Sequence, residues 1–134
     1  MSKASILVAE DNADILDSLR RLLEMEGFNV LAAENGLVAL EQLSRFKPNI
    51  VLTDLGMPGM NGLELIHTLR RDSDFDAIPI IAITAYSKKY LSTALDAGAD
   101  AVLHKMEGFD SIIDSINEAL ANRNYKAQSN SDPD

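Results

Sequence analysis

Short apolar runs alternate with segments of helical period along this chain. The apolar runs, which predict five strands, are Ser5–Ala9, Asn29–Ala33, Ile50–Thr53, Ile80–Ile83 and Ala101–His104. Three of these runs are almost wholly aliphatic, which is typical of strands buried on both faces. Strands that alternate with helices predict a parallel sheet covered on both sides, the doubly wound α/β class. Because crossovers between parallel strands are right-handed, we expect the first and fifth helices on one face and the other three on the opposite face.

Apolar side chains recur between the predicted strands at the spacing of a buried helix face. The stripes comprise, in chain order, Ile15, Leu16, Leu19, Leu22 and Leu23; Leu40, Leu43 and Phe46; Leu65, Ile66 and Leu69; Leu91, Ala94 and Leu95; and Ile112, Ile113, Ile116 and Leu120. Gly27 can end the first helix. The fourth helix, Lys88 to Ala97, has the weakest pattern. We expect each stripe to face the sheet.

The length of 134 residues fits one compact domain, which we place at residues 1–121. Residues 122–134 are polar and lack periodicity, so we expect them to form a flexible C-terminal tail. The apolar run near the start is too short for a signal peptide or a membrane span. These features predict a cytoplasmic protein with no membrane attachment and no output domain of its own.

The formal net charge of −9 changes the range of partners. Nucleic acid and anionic membranes need clustered Lys and Arg, so neither is expected to bind. The absence of cysteine excludes disulfides, thiolate zinc sites and thiol catalysis. The expected partners are therefore proteins or cations.

Polar side chains follow four of the five predicted strands, at the sheet edge where such folds bind ligands. Glu10 and Asp11 follow the first strand, Asp54 the third, Thr84 the fourth and Lys105 the fifth. The first two, with Asn12, can equally serve to cap the first helix. Three carboxylates placed together repel one another unless a cation or Lys105 offsets them, and oxygen ligands favour Mg²⁺. The pattern predicts a Mg²⁺ site made by two carboxylates and a backbone carbonyl.

A carboxylate directly after a buried strand loses hydration at a cost in free energy, and no structural need for it is evident at position 54. Asp54 is therefore the strongest functional candidate. A carboxylate beside Mg²⁺ and Lys105 can attack a phosphoryl group, because both cations stabilise charge on the transferring oxygens. Thr84 can then donate a hydrogen bond to the product.

Four motifs carry a resemblance to a known family: Glu10-Asp11, the segment from Asp54 to Gly62, Thr84-Ala85, and Lys105. Together they resemble the receiver domains of two-component response regulators, over roughly residues 5–121. The resemblance implies a (βα)5 flavodoxin-like three-layer sandwich whose parallel sheet has the strand order 2-1-3-4-5. It also implies a signalling protein, not a conventional enzyme, that takes part in its own phosphorylation and dephosphorylation.

The resemblance further implies roles for individual residues. Asp54 would take a phosphoryl group from a sensor histidine kinase or a histidine phosphotransfer protein. Asp11, Asp54 and the Gly56 carbonyl would ligate Mg²⁺, and Glu10 would act through water. Thr84 and Lys105 would contact the phosphoryl oxygens. The signal would pass by contact with a downstream protein, from a monomer or a weak homodimer.

The sequence departs from the family pattern near its end. Val102 replaces the usual aromatic residue three positions before Lys105, so a ring-flip mechanism is unavailable. Met106 replaces the usual proline, and a cis bond without proline costs about 3 kcal/mol, so we expect a trans bond and a shifted loop. Gly56 and Tyr86 flank the phosphoryl position with opposing effects on water access, which leaves the phosphate lifetime open.

Three other functions fit parts of the pattern. A flavin carrier would share the sheet, but Glu10 and Asp11 would repel its phosphate. An aspartyl-phosphate phosphatase would need a second aspartate at the position of Gly56. A receiver-like docking module that is not phosphorylated stays open, because Val102 and Met106 break the family's switch.

Overall fold

The computed structural model describes residues 4–57, 59–85 and 91–131, with side chains for all of these except 106 and 123–131. The strands are β1 (Ser5–Ala9), β2 (Asn29–Ala33), β3 (Ile50–Asp54), β4 (Ile80–Thr84) and β5 (Ala101–His104). The helices are α1 (Ala13–Met25), α2 (Gly36–Leu43), α3 (Gly62–Arg70), α4 (Leu91–Ala97) and α5 (Phe109–Ser131). A short 3₁₀ helix, Lys105–Glu107, precedes α5.

The five strands form one parallel sheet in the order β2-β1-β3-β4-β5, as predicted. Every residue of β3 and β4 is buried, which explains their continuous aliphatic runs. Two strands are one residue longer than predicted, because Asp54 and Thr84 still pair with Ile83 and His104. None of the helices among the described residues has the length and apolar character needed to cross a membrane.

Successive strand residues point to opposite faces and form two cores. Leu7 and Val51 pack with buried residues of α2, α3 and α4, such as Leu65. Ile6 and Leu52 pack with buried residues of α1 and α5. The predicted division of helices between the two faces is therefore correct, and each buried aliphatic side chain stabilises the layers by roughly 1.5–3 kcal/mol.

The helical stripes are confirmed only in part. Leu65, Ile66 and Leu69 of α3 are buried as predicted. Ile15 and Leu22 of α1, however, are 36% and 38% exposed, because they lie seven residues apart on one flank of the helix. Apolar spacing identified the side of α1 but overestimated the width of its contact with the sheet.

Two further stripe predictions were too broad. Phe46 lies beyond the end of α2 and is mostly exposed. In α4, Ala94 is buried, whereas Leu91 and Leu95 are more than two-fifths exposed. The predicted start of this helix at Lys88 lies outside the described residues.

Helix α5 continues to Ser131, ten residues past its predicted end at Ala121. The extension is polar and contains no proline, so nothing in it stops a helix that the apolar part has already nucleated. The flexibility of residues 122–134 and the domain boundary at residue 121 stay predictions.

The side chain of Arg70, at the end of α3, joins three segments at the amino ends of β4 and β5. Its Nε atom donates to the Gly98 carbonyl at 2.9 Å, and one terminal nitrogen donates to the Ile78 carbonyl at 2.7 Å. The other contacts Asp100 Oδ2 at 2.9 Å, which also accepts from the Ile80 amide at 2.8 Å. We call this set the Arg70 cluster.

Candidate functional site

Four neighbouring strand ends bring the predicted site residues together. Glu10 follows β1, Asp54 ends β3, Thr84 ends β4 and Lys105 follows β5. Because β1, β3, β4 and β5 are successive neighbours in the sheet, these residues lie along one edge. Glu10, Asp54 and Thr84 are buried, at 2%, 5% and 2% exposure. Asp11 is exposed.

The three predicted acids form a cluster. One carboxylate oxygen from each of Glu10, Asp11 and Asp54 lies within 4.8 Å of the other two. Oxygens bound to one octahedral Mg²⁺ lie about 3–4 Å apart, given metal–oxygen distances near 2.1 Å. The cluster therefore fits a hard divalent cation.

Lys105 lies against this cluster. Its Nζ atom is 2.9 Å from Glu10 Oε1 and 3.2 Å from Asp54 Oδ2. The ammonium offsets the charge of the two buried acids. The same contacts raise the pKa of Lys105. Burial lowers this pKa, but the hydrogen bond to Glu10 and the charge of Asp54 outweigh the effect of burial.

Glu10 is the acid whose ionisation the site disfavours. Burial raises its pKa above 4.5, and the hydrogen bonds from Asn12 and Lys105 offset that effect only in part. The charge of Asp54 raises the pKa further. Asn12 also caps α1, since its side chain accepts from the Asp14 and Ile15 amides. The capping alternative is thus correct for Asn12, while Glu10 and Asp11 join the acidic cluster.

Both oxygens of the Asp54 carboxylate accept hydrogen bonds from described residues. The Gly56 amide donates to Oδ1 at 3.2 Å, and Lys105 donates to Oδ2 at 3.2 Å. The Thr53 hydroxyl donates to the Asp54 carbonyl at 3.0 Å. A Cβ atom on Gly56 would have no neighbour within 4 Å among the described residues. The Asp54 carboxylate is thus held on one oxygen by the Gly56 amide and on the other by Lys105.

The departures from the family pattern lie beside this edge. Val102 is half-buried and packs against the core formed with α2, α3 and α4. The described residues contain no cis peptide bond, which agrees with the trans bond predicted before Met106. The chain instead turns through the 3₁₀ helix Lys105–Glu107 and Gly108, whose φ is +93°. Tyr86 lies outside the described residues.

Sequence reasoning missed two contacts next to Asp54. Asn61 and Glu64 form a capping box at the start of α3, and the pattern of Asn followed three residues later by Glu signals it. Gly62 lies directly against the backbone of Asp54. No local sequence signal marks that contact, because it depends on how α3 packs on β3.

This chain belongs to the response regulator receiver domain family, whose model matches residues 6–117. It is 36% identical over 116 residues to the response regulator MprA of Mycobacterium leprae, which covers 86% of this chain and 50% of that protein. The chain thus spans about half the length of that relative. The polar-differentiation response regulator DivK of Brucella anthropi is 30% identical over 117 residues, covering 87% of this chain and 95% of that one.

A solved structure supports the same assignment. The response regulator TrrA of Thermotoga maritima superposes with a TM-score of 0.79 and 32% identity, covering 87% of this chain and 98% of that chain. That crystal structure holds TrrA in complex with Mg²⁺ and BeF. Family and fold agree with the resemblance drawn from the four motifs.

Proposed function

We propose that this protein accepts a phosphoryl group on Asp54 in a Mg²⁺-dependent reaction and passes the signal on by protein contact. One observation carries the proposal: a buried carboxylate with a lysine ammonium 3.2 Å from it and two further acids whose oxygens lie within 4.8 Å. The donor we propose is a phosphohistidine on a sensor histidine kinase or a histidine phosphotransfer protein. A cytoplasmic location stays a prediction.

The proposed metal ligands are Asp11, Asp54 and the carbonyl of Gly56, with Glu10 acting through water. The complex of TrrA with Mg²⁺ and BeF supports Mg²⁺ as the cation. When bound, Mg²⁺ neutralises negative charge on the carboxylates and on the phosphoryl oxygens.

The transfer itself is a substitution at phosphorus. A carboxylate oxygen of Asp54 forms the new O–P bond, the P–N bond to the donor imidazole breaks, and that nitrogen keeps the electron pair and takes up a proton. Lys105 moves its hydrogen bond from the carboxylate to a phosphoryl oxygen. The hydroxyl of Thr84 donates to another phosphoryl oxygen, and both contacts hold the product. Hydrolysis of the acyl phosphate then restores Asp54 and releases inorganic phosphate.

We propose that modification changes the face formed by α4, β5 and α5. Leu91 and Leu95 are partly exposed on α4, which gives a downstream protein apolar surface to contact. Val102 replaces an aromatic ring in β5, so the change is transmitted by backbone and loop displacement and not by ring rotation. Whether the protein acts as a monomer or a weak homodimer stays a prediction.

Incubation with acetyl phosphate and Mg²⁺, read by intact mass, tests the proposal. We expect the protein mass to increase by one phosphoryl group. A chelator added before the donor should prevent this increase. Asp54→Asn should gain nothing, while Asp114→Asn, a matched change on exposed α5, should behave like the wild type. An unmodified wild type would favour the docking module, and a modified Asp54→Asn variant would refute the acceptor assignment.

A further inference from the structure

Gly62, the first residue of α3, lies closer to Asp54 than any side chain would allow. A Cβ atom at this position would overlap the carbonyl oxygen of Asp54 and lie 2.8 Å from Leu55 Cα. Distances below 3.0 Å to backbone atoms require the backbone to shift, because a bonded main chain cannot rotate away as a side chain can. The φ of Gly62 is not positive, so the missing side chain, and not an unusual backbone angle, is what this position needs.

The contact fixes α3 against the end of β3. The Gly62 amide donates to the Leu55 carbonyl at 3.3 Å, and the Leu55 amide donates across the sheet to the Ile83 carbonyl at 3.0 Å. The capping box of Asn61 and Glu64 holds the first turn of α3 in place. The backbone that carries the acceptor is therefore held from the β4 side and from the α3 side.

The same backbone sets two groups of the site. Asp54 Oδ1 accepts from the Gly56 amide at 3.2 Å, and Gly56 is the residue whose carbonyl is a proposed metal ligand. A side chain at position 62 would displace either α3 or the Asp54 carbonyl. Displacing the carbonyl moves Asp54 relative to Glu10 and Lys105, whereas displacing α3 strains the bond from the Gly62 amide to the Leu55 carbonyl, one residue before Gly56.

We infer that Gly62 is a positioning residue of the phosphoacceptor site, whose lack of a side chain sets the placement of Asp54 and Gly56 for the metal ion. This inference rests on the proposed function, since it assumes that the site binds Mg²⁺. Gly62 touches no reactant and acts through the backbone of Asp54.

Gly62→Ala tests the inference against Gly98→Ala. Gly98 lies at the opposite end of the sheet, where an added Cβ would meet Arg70 Cγ at 2.5 Å and the φ is +122°. Its replacement should destabilise the fold without touching Asp54. Mg²⁺ affinity is measured by calorimetry, and the folded fraction by urea unfolding. We expect Gly62→Ala to weaken Mg²⁺ binding by about 10–100-fold, the loss typical when a group that orients a metal ligand is changed. Gly98→Ala should keep the wild-type affinity.

The Gly56 amide gives a second readout in the metal-free protein. Its NMR signal should shift in Gly62→Ala, because the bond to Asp54 Oδ1 changes, and should stay fixed in Gly98→Ala. If Gly62→Ala does not fold, the wild-type Gly62 amide must still shift during Mg²⁺ titration with the same midpoint as the calorimetric curve, and a fixed signal would overturn the inference. Equal Mg²⁺ affinity of Gly62→Ala and wild type, or equal losses in both variants, would also overturn it. A wild type that binds no Mg²⁺ would refute the proposed function, and this inference with it.

Discussion

Replacing Lys105 with methionine removes the ammonium that contacts both buried carboxylates of the site, at 2.9 Å from Glu10 and 3.2 Å from Asp54. The side chains of these acids are only 3% and 6% exposed, so water cannot take over the role of the cation. Breaking a buried ion pair by removing one partner costs about 3–5 kcal/mol. Because Lys105 itself is 24% exposed, we expect a loss of about 3 kcal/mol in the free energy of unfolding.

Urea unfolding in a buffer with chelator measures this loss, and the same experiment with Mg²⁺ tests its cause. Ligand binding to the native state stabilises it by about 2.7 kcal/mol at 100 times the dissociation constant. A divalent cation can replace the missing ammonium, so Mg²⁺ should stabilise Lys105→Met more than the wild type. The gap between the two proteins should therefore narrow as the Mg²⁺ concentration rises.

Two further variants separate charge from packing. Adding Asp54→Asn to Lys105→Met should recover part of the loss, since one unpaired acid is removed, and such contacting pairs deviate from additivity by about 0.5–3 kcal/mol. Arg71→Met, a control at an exposed cation, should change stability by less than about 0.5 kcal/mol. Wild-type stability of Lys105→Met in chelator, or an equal response of both proteins to Mg²⁺, would refute the role assigned to Lys105.

Two other predictions concern pH and the far end of the sheet. The pKa of Glu10 is raised above 4.5, so its contribution to stability is fully present below 4.5 and is lost as the pH rises through the folded-state value. Metal binding needs the ionised form of Glu10, so the Mg²⁺ affinity measured by calorimetry should rise over the same pH window. A Glu10→Gln variant whose Mg²⁺ affinity rose with pH in the same way would contradict the role assigned to Glu10. A lysine at position 70 cannot reproduce the planar, multiply hydrogen-bonded guanidinium of Arg70. Arg70→Lys should therefore lower the free energy of unfolding in urea by about 1.5–3 kcal/mol and leave the Mg²⁺ affinity unchanged. Wild-type stability of this variant would show that the guanidinium is dispensable.

The strands and the acidic edge were predictable because their signals are local. A strand buried on both faces is a continuous apolar run, and the first polar residue after it, such as Asp54, must lie at the sheet edge. The strand order came from the family resemblance, since periodicity alone does not order strands. Contacts that depend on tertiary packing could not be predicted from the sequence. Gly62 lies against Asp54 and Ile15 is partly exposed, both because of how distant segments pack, whereas the pairing of Lys105 with the acids was predicted.

The Arg70 cluster gives the two ends of the sheet different tasks. At the amino ends of β4 and β5, hydrogen-bonded groups satisfy one another and favour the folded state. At the carboxyl ends, crowded acids oppose the folded state, and they form the proposed cation site. Substitutions around Asp100 could therefore stabilise the protein and leave the proposed phosphoacceptor site intact. Thermostability gained by replacing the acids at the carboxyl ends would instead reduce the proposed activity.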